Sequence, residues 1–201
     1  MEQELKLALE RPTDLARLLS ALPKPRGVIR QSNHYLICDE GRTSTAKVMV
    51  RLRVEERENE TSACLTLKRR VRSSQGVFLS WELEEAMPLE HALPVIHEGL
   101  NLMKVEHPGT RWLAEELEIS ALRLQGCLIN HRHVVDFDGY VLEIDQSEFP
   151  DGSIEAEIEV ETDDPEGARA AVMKLTDREG IALFQQSLGK YTRYLKKGGQ
   201  R

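Results

Sequence analysis

The sequence has few of the features that staple or target a chain. Its three cysteines, Cys38, Cys64 and Cys127, are odd in number and far apart, with no C-x-x-C pair, which indicates neither a disulfide framework nor a structural zinc site. The N-terminus, Met1-Glu2-Gln3-Glu4, has neither a basic nor an apolar targeting region, and no apolar run approaches the length that spans a bilayer. A cytoplasmic protein without a membrane partner is expected. Positive charge is in deficit: 27 basic against 34 acidic residues leave a net charge of −7, which argues against a general nucleic-acid or anionic-lipid surface and leaves room only for a local basic cleft. No G-x-x-x-x-G-K-[ST] run is present, so phosphate binding cannot rest on a P-loop. There is no internal repeat, and the one low-complexity stretch, 196–201, reads as a frayed end. What remains is a 201-residue chain, 40% hydrophobic, with apolar positions spread throughout, enough for one domain over 1–201 with a core of its own.

Apolar and charged residues alternate over 2–7, 48–54, 63–68, 81–84, 127–135, 141–145 and 154–160, a period of two that predicts strands with one face buried. Leucine stripes predict helices over 14–22 and 89–103, the second kinked or split by Pro94. Pro165, after Asp163 and Asp164, opens a helix to about 175, and a last helix is expected from about 185 to 196.

The charges on these strands are sorted by sign. No Lys or Arg occurs from Val134 to Ala168, whereas the stretch 42–72 holds Lys47, Arg51, Arg53, Arg57, Lys68, Arg69 and Arg70. Each set recurs at i and i+2 and so shares a face. On an open sheet these are solvated faces. In a closed sheet they form an acidic wall suited to hard divalent cations and a basic wall suited to phosphate oxygens, with the leucine stripes packed outside.

Glu2-Gln3-Glu4-Leu5-Lys6 resembles the E-x-E-x-K signature of the CYTH superfamily, the triphosphate tunnel metalloenzymes. Arg51-Leu52-Arg53, Leu65-Thr66-Leu67-Lys68, Glu82-Leu83-Glu84, Arg132, Leu142 to Asp145, Glu157-Ile158-Glu159 and Lys190 follow in the matching order, over nearly the whole chain. The resemblance implies an α+β fold: an eight-stranded antiparallel β-barrel with a polar tunnel and helices outside. It implies hydrolysis of a small triphosphate with Mg²⁺ or Mn²⁺, inorganic triphosphate to pyrophosphate and phosphate in the first place, by a monomer or homodimer. A class IV-type adenylate cyclase, a thiamine triphosphatase and a non-catalytic polyphosphate-binding module are the alternatives. Carried over by position, Lys6, Arg51, Arg53, Lys68, Arg132 and Lys190 grip phosphate oxygens. Glu2, Glu4, Asp145, Glu157 and Glu159 hold metal, and Glu82, Glu84 and Glu143 support them. Glu2, Glu4, Lys6, Glu159 and Lys190 form the catalytic set. Arg123 is a rival for the place of Arg132, and the segment 31–39 departs from the family pattern, which leaves the role of Asp39 open.

If Arg132 points inward, His131 and His133 point outward, and a metal role for them is not expected. Cys127 reads as an inert thiol, Trp81 and Trp112 as packing residues, Gly76 and Gly126 as turn or close-approach positions. An acidic wall that faces itself also implies stored repulsion, from which Glu159→Gln is expected to leave the metal-free melting temperature unchanged or raised.

Overall fold

The computed structural model describes residues 1–199. Its strands are β1 (Glu2–Leu9), β2 (Gly27–Ile37), β3 (Met49–Arg57), β4 (Glu60–Ser74), β5 (Val77–Met87), β6 (Arg123–Phe137), β7 (Tyr140–Glu148), β8 (Ile154–Glu161) and the short β9 (Leu183–Gln185). They run β5-β4-β3-β2-β6-β7-β8-β1, and β1 pairs back onto β5, so eight antiparallel strands close into a barrel. β9 pairs with the far half of β1, beyond the reach of β5.

Alternation within each strand turns this barrel inside out relative to an ordinary core. On β3, Arg51, Arg53 and Glu55 line the interior, while Val50, Leu52 and Val54 belong to an apolar cluster on the outside. Outside apolar faces need cover, and helices supply it. Helices α3 (Leu89–His97) and α4 (Pro108–Leu117) cover β3 to β5, and α1 (Leu15–Ala21) and α5 (Pro165–Glu179) cover β1, β7 and β8. Among the described residues no helix is long and apolar enough to cross a membrane.

A third cluster, Tyr35, Leu128, Phe149 and Tyr194, fills one end of the barrel beneath α6 (Lys190–Lys196). Gly126 makes this contact possible, because a Cβ there would lie 2.0 Å from the Tyr194 hydroxyl oxygen. α2 (Arg42–Thr45) is a single turn ahead of β3.

Several elements differ from the sequence reading. The helix expected over 89–103 ends at His97, three residues past Pro94, whose missing N–H and bulky ring disfavour continuation. The helix from Pro165 runs on to Glu179 and stops at Gly180, at φ 61°. The last helix starts at Lys190, because 183–185 pairs with β1 as β9. β2 lacks clean alternation, since its inner face carries neutral Gln31, Asn33 and Tyr35. α4, a helix the sequence reading did not include, is set by its cap: the Nδ1 of buried His107 accepts from the Gly109 amide. Of the tail 196–201, the last two residues lie outside the described residues.

Candidate active site

The barrel encloses a cavity of about 1380 Å³ lined by residues from both charged sets. Strand register places opposite charges directly across from one another: Lys6 beside Glu159, Lys68 beside Glu82 and Arg132 beside Asp145. The signs that are segregated along the sequence are therefore interleaved in space. The expected self-facing acidic wall is replaced by carboxylate groups that each hold a cation, an arrangement in which removing one carboxylate unbalances its partners.

One such group is Asp145 on β7 with Glu157 and Glu159 on β8, all buried, with carboxylate oxygens within 4.8 Å of one another. The Lys190 ammonium, delivered by the start of α6, lies among them at 2.5 Å from Asp145, 2.7 Å from Glu157 and 2.8 Å from Glu159. Arg132 donates to both oxygens of Asp145 at 2.8 and 2.6 Å, to Glu159 at 2.8 Å, and also to Glu143. Against the burial that would raise them, Lys190, Lys6 and Arg132 hold Glu159 well below the carboxylate range, and Arg132 and Lys190 do the same to Asp145.

A second group surrounds Lys68, whose Nζ lies 2.6 Å from Glu2, 2.8 Å from Glu82 and 3.3 Å from Glu4. Lys6 joins the two, 3.0 Å from Glu4 and in contact with Glu159. Burial, then a hydrogen bond to Glu82 and the nearby Glu4, push Glu2 up to about 8. Glu82 moves the opposite way, held down against burial by that same hydrogen bond and by Lys68.

Arg51 and Arg53 on β3 are differently placed. Their cross-strand neighbours are Tyr35 and Thr66 for Arg51, and Asn33 and Cys64 for Arg53, with no carboxylate directly opposite. Arg51 reaches Thr66 and Glu84 at 3.1 Å, and Arg53 donates its Nε–H to a neutral partner, Asn33 Oδ1, at 2.9 Å, with Glu55 at 3.5 Å. Burial, and then the facing Arg51 and Arg132, lower the Arg53 guanidinium from its ordinary value. The carboxylates these arginines do reach, Glu84 and Glu55, lie two strands away or further along β3 rather than across the ladder.

The candidate phosphate-binding, metal-binding and supporting residues thus all line the cavity or contact a group that does, whereas Arg123 and the two histidines do not. Arg123 is exposed at the start of β6, where it pairs with Asp39. His131 and His133 face a shallow groove on the outer surface, as the alternation predicts. Trp81 and Trp112 pack on each other outside, ring centroids 4.8 Å apart and planes tilted by 31°. One buried contributor was not read from the sequence: Arg193 on α6 donates to both oxygens of Glu157 at 2.7 Å and pairs with Glu155. No pattern in the sequence marked it: α6 lies along β8, so that Lys190 meets Glu157 and Glu159 while Arg193 meets Glu155 and Glu157.

A closed antiparallel barrel with an apolar outside under helices and a charged interior is a tunnel-type barrel. The chain belongs to the CYTH domain family, whose family model matches residues 1–192. Among solved structures it is similar to a Hippeastrum protein described as a putative adenylyl cyclase with a dominant triphosphatase activity, at 24% identity and a TM-score of 0.90, covering 98% of this chain and 96% of that one. A putative adenylate cyclase from Bacillus halodurans matches at 22% identity and a TM-score of 0.70, over 96% and 99% of the two chains. The PH1819 protein of Pyrococcus horikoshii OT3 matches at 14% identity and a TM-score of 0.60, over 96% and 98%. No curated protein matches the chain.

Proposed function

We propose that this chain is a divalent-metal-dependent triphosphatase that cleaves a small linear triphosphate, inorganic triphosphate in the first place, to pyrophosphate and phosphate. The observation that carries the reading is the imbalance inside one cavity: a carboxylate group that already gathers a cation on the β7–β8 side, and arginines without a carboxylate opposite them on β3. Such a cavity fits a polyanion together with metal better than either alone. The activity named for the Hippeastrum protein agrees with it.

The residues present fit a hard divalent ion: Asp145, Glu157 and Glu159 offer only carboxylate oxygens, and the Lys190 ammonium among them stands in for a cation. Asp145, Glu157 and Glu159 would hold such an ion with Glu2 and Glu4, and it would neutralise phosphate charge and lower the pKa of a water for attack on the terminal phosphorus. The chain's own groups do the rest. Arg51 and Arg53 would grip phosphate oxygens, and Lys190, Lys6, Lys68 and Arg132 would be released from their carboxylates to grip phosphate when those carboxylates held an ion. Glu82, Glu84 and Glu143 keep these cations aimed into the cavity.

The test is a substrate panel of inorganic triphosphate, ATP and thiamine triphosphate, each with Mg²⁺ or Mn²⁺, followed across pH with product analysis. Triphosphate is expected to give the highest kcat/KM. A cyclic nucleotide as main product would assign the cavity to a cyclase instead. Because Glu2 is raised to about 8 and must be ionised to hold metal, activity is expected to climb between about pH 6 and pH 8. In the metal-free protein the sign reverses: a carboxyl raised in the folded state favours folding below its unfolded value of 4.5, and that contribution is lost as pH rises through 8. An activity maximum below pH 5 would contradict this assignment of Glu2.

A further inference from the structure

One row of polar side chains buried inside the barrel is neutral until it reaches Glu55. Ser147 on β7 donates to Asn130 Oδ1 on β6, Asn130 donates to Gln31 Oε1 on β2, and Gln31 donates to Glu55 Oε1 on β3, each at 2.8 Å. Every one of these bonds joins residues directly opposite one another in the ladder, so the row crosses four neighbouring strands in a line. Ser147, Asn130 and Gln31 are each 1% exposed. Burying an amide is costly unless it is bonded, and here both ends of both amides are.

Two residues further along β2, on the same face, Asn33 is buried between its ladder neighbours, Leu128 on β6 and Arg53 on β3. Its Nδ2 donates to the Leu128 carbonyl at 3.2 Å, and its Oδ1 accepts from Arg53 Nε at 2.9 Å. Turning the amide over would set oxygen against oxygen on one side and N–H against guanidinium on the other, so both neighbours fix its orientation. Arg53 is thus held through Nε, and its terminal nitrogens make no hydrogen bond among the described residues. Glu55 lies 3.5 Å from Arg53 and is held elsewhere, by Gln31 at 2.8 Å and Arg57 at 2.9 Å. Lys6, Lys68, Arg132 and Lys190, by contrast, each touch two or more carboxylates.

We infer that Asn33 is a positioning residue for substrate binding: it aims Arg53 into the cavity without neutralising it, while the Gln31 row keeps Glu55 from closing on the same guanidinium. The inference rests on the reading of Arg53 as a phosphate-gripping group. A neutral partner suits that task because a carboxylate would compete with phosphate for the arginine, whereas a fixed amide oxygen orients it and leaves the charge for the ligand.

The test is calorimetric titration of the metal-free protein with inorganic triphosphate, in the wild type, Asn33→Asp, Asn33→Ala, Arg53→Ala and the two double variants. Asn33→Asp is expected to weaken binding at least about tenfold, because it hands Arg53 a carboxylate. Asn33→Ala is expected to weaken it less, since Arg53 loses its guide and keeps its charge. A purely structural role predicts the reverse order, because Asp keeps the shape of Asn and Ala leaves a cavity. In the Arg53→Ala background neither substitution is expected to move affinity by more than about twofold, the coupling of a residue that acts through Arg53. Equal losses in the two backgrounds, a loss in Asn33→Ala as large as in Asn33→Asp, or no loss in either would each overturn the inference. If Asn33→Asp does not fold, Gln31→Met decides: freeing Glu55 is expected to lower affinity, and adding Glu55→Gln to restore it, which would not repair a structural fault. No fall, or a fall that Glu55→Gln leaves in place, overturns the inference. If the wild type binds no triphosphate, the triphosphatase reading fails. The Arg53 Nε–H signal in a ¹H–¹⁵N NMR spectrum, assigned by its loss in Arg53→Ala, then decides the positioning separately. Slow exchange with water in the wild type and fast exchange in Asn33→Ala is the expected result, and equal exchange overturns it.

Discussion

Glu159→Gln is expected to slow metal-dependent hydrolysis about a hundredfold or more and to lower the melting temperature of the metal-free protein. The loss of rate follows from removing a charged oxygen from the group of three carboxylates whose oxygens lie within 4.8 Å of one another. The loss of stability follows from its partners, because Lys6, Arg132 and Lys190 all touch this carboxylate and would be left with less counter-charge in a buried place. Breaking a buried pair from one side costs about 3 kcal/mol where no other partner compensates, and Asp145, Glu4 and Glu157 reduce that figure here. The sign with pH is fixed by the depressed value of Glu159. Its charge contributes stability above the ordinary 4.5 and loses it as pH falls through the lower folded value, so wild type and variant converge in acid. Glu148→Gln, at the exposed end of β7, is the control and should change neither quantity. Full activity with a normal response to Mg²⁺ or Mn²⁺ in Glu159→Gln would refute the placement of metal on β8.

The opposite stability effect is expected on the other side of the cavity. Arg53→Ala should weaken triphosphate binding by about 1.5–3 kcal/mol, roughly 10- to 150-fold in affinity, the range for a hydrogen bond to a charged group. The metal-free melting temperature should hold or rise, because Arg53 faces Arg51 and Arg132 and is held by neutral Asn33. Arg132→Ala is the contrast: it abandons Asp145, Glu143 and Glu159 and should destabilise the fold first. Calorimetric titration with triphosphate and a melting scan of each variant check both statements. Unchanged affinity in Arg53→Ala would mean that its charge serves only the β2–β3 pairing.

The sequence made the faces legible, and the structure supplied the heights. Period two alone puts Glu2, Glu4 and Lys6 on one side of β1 and Leu5 and Leu7 on the other, and the same parity separates Arg132 from His131 and His133. Parity cannot say which cation meets which carboxylate, since that depends on how far each strand slides against its neighbour. Register set by the hairpins puts Lys68 opposite Glu82 and Arg132 opposite Asp145, and so turns an anticipated repulsion into pairing. β2 escaped notice because its inward residues are neutral and its outward ones mix Arg30, Ser32 and His34. Arg193 escaped because a helix of seven residues gives little periodicity, and its role is visible only once α6 lies against β8.

The central claim, that one cavity joins a triphosphate to a divalent ion for hydrolysis, is tested most directly in a single tube by phosphorus NMR. Protein freed of metal by chelation is mixed with inorganic triphosphate, and Mg²⁺ or Mn²⁺ in excess of the chelator is added later. No change before the addition, and pyrophosphate and phosphate appearing in equal amounts after it, is the predicted result. Cleavage that proceeds in the chelator at an undiminished rate, or triphosphate that stays intact with both ions present, would contradict the account.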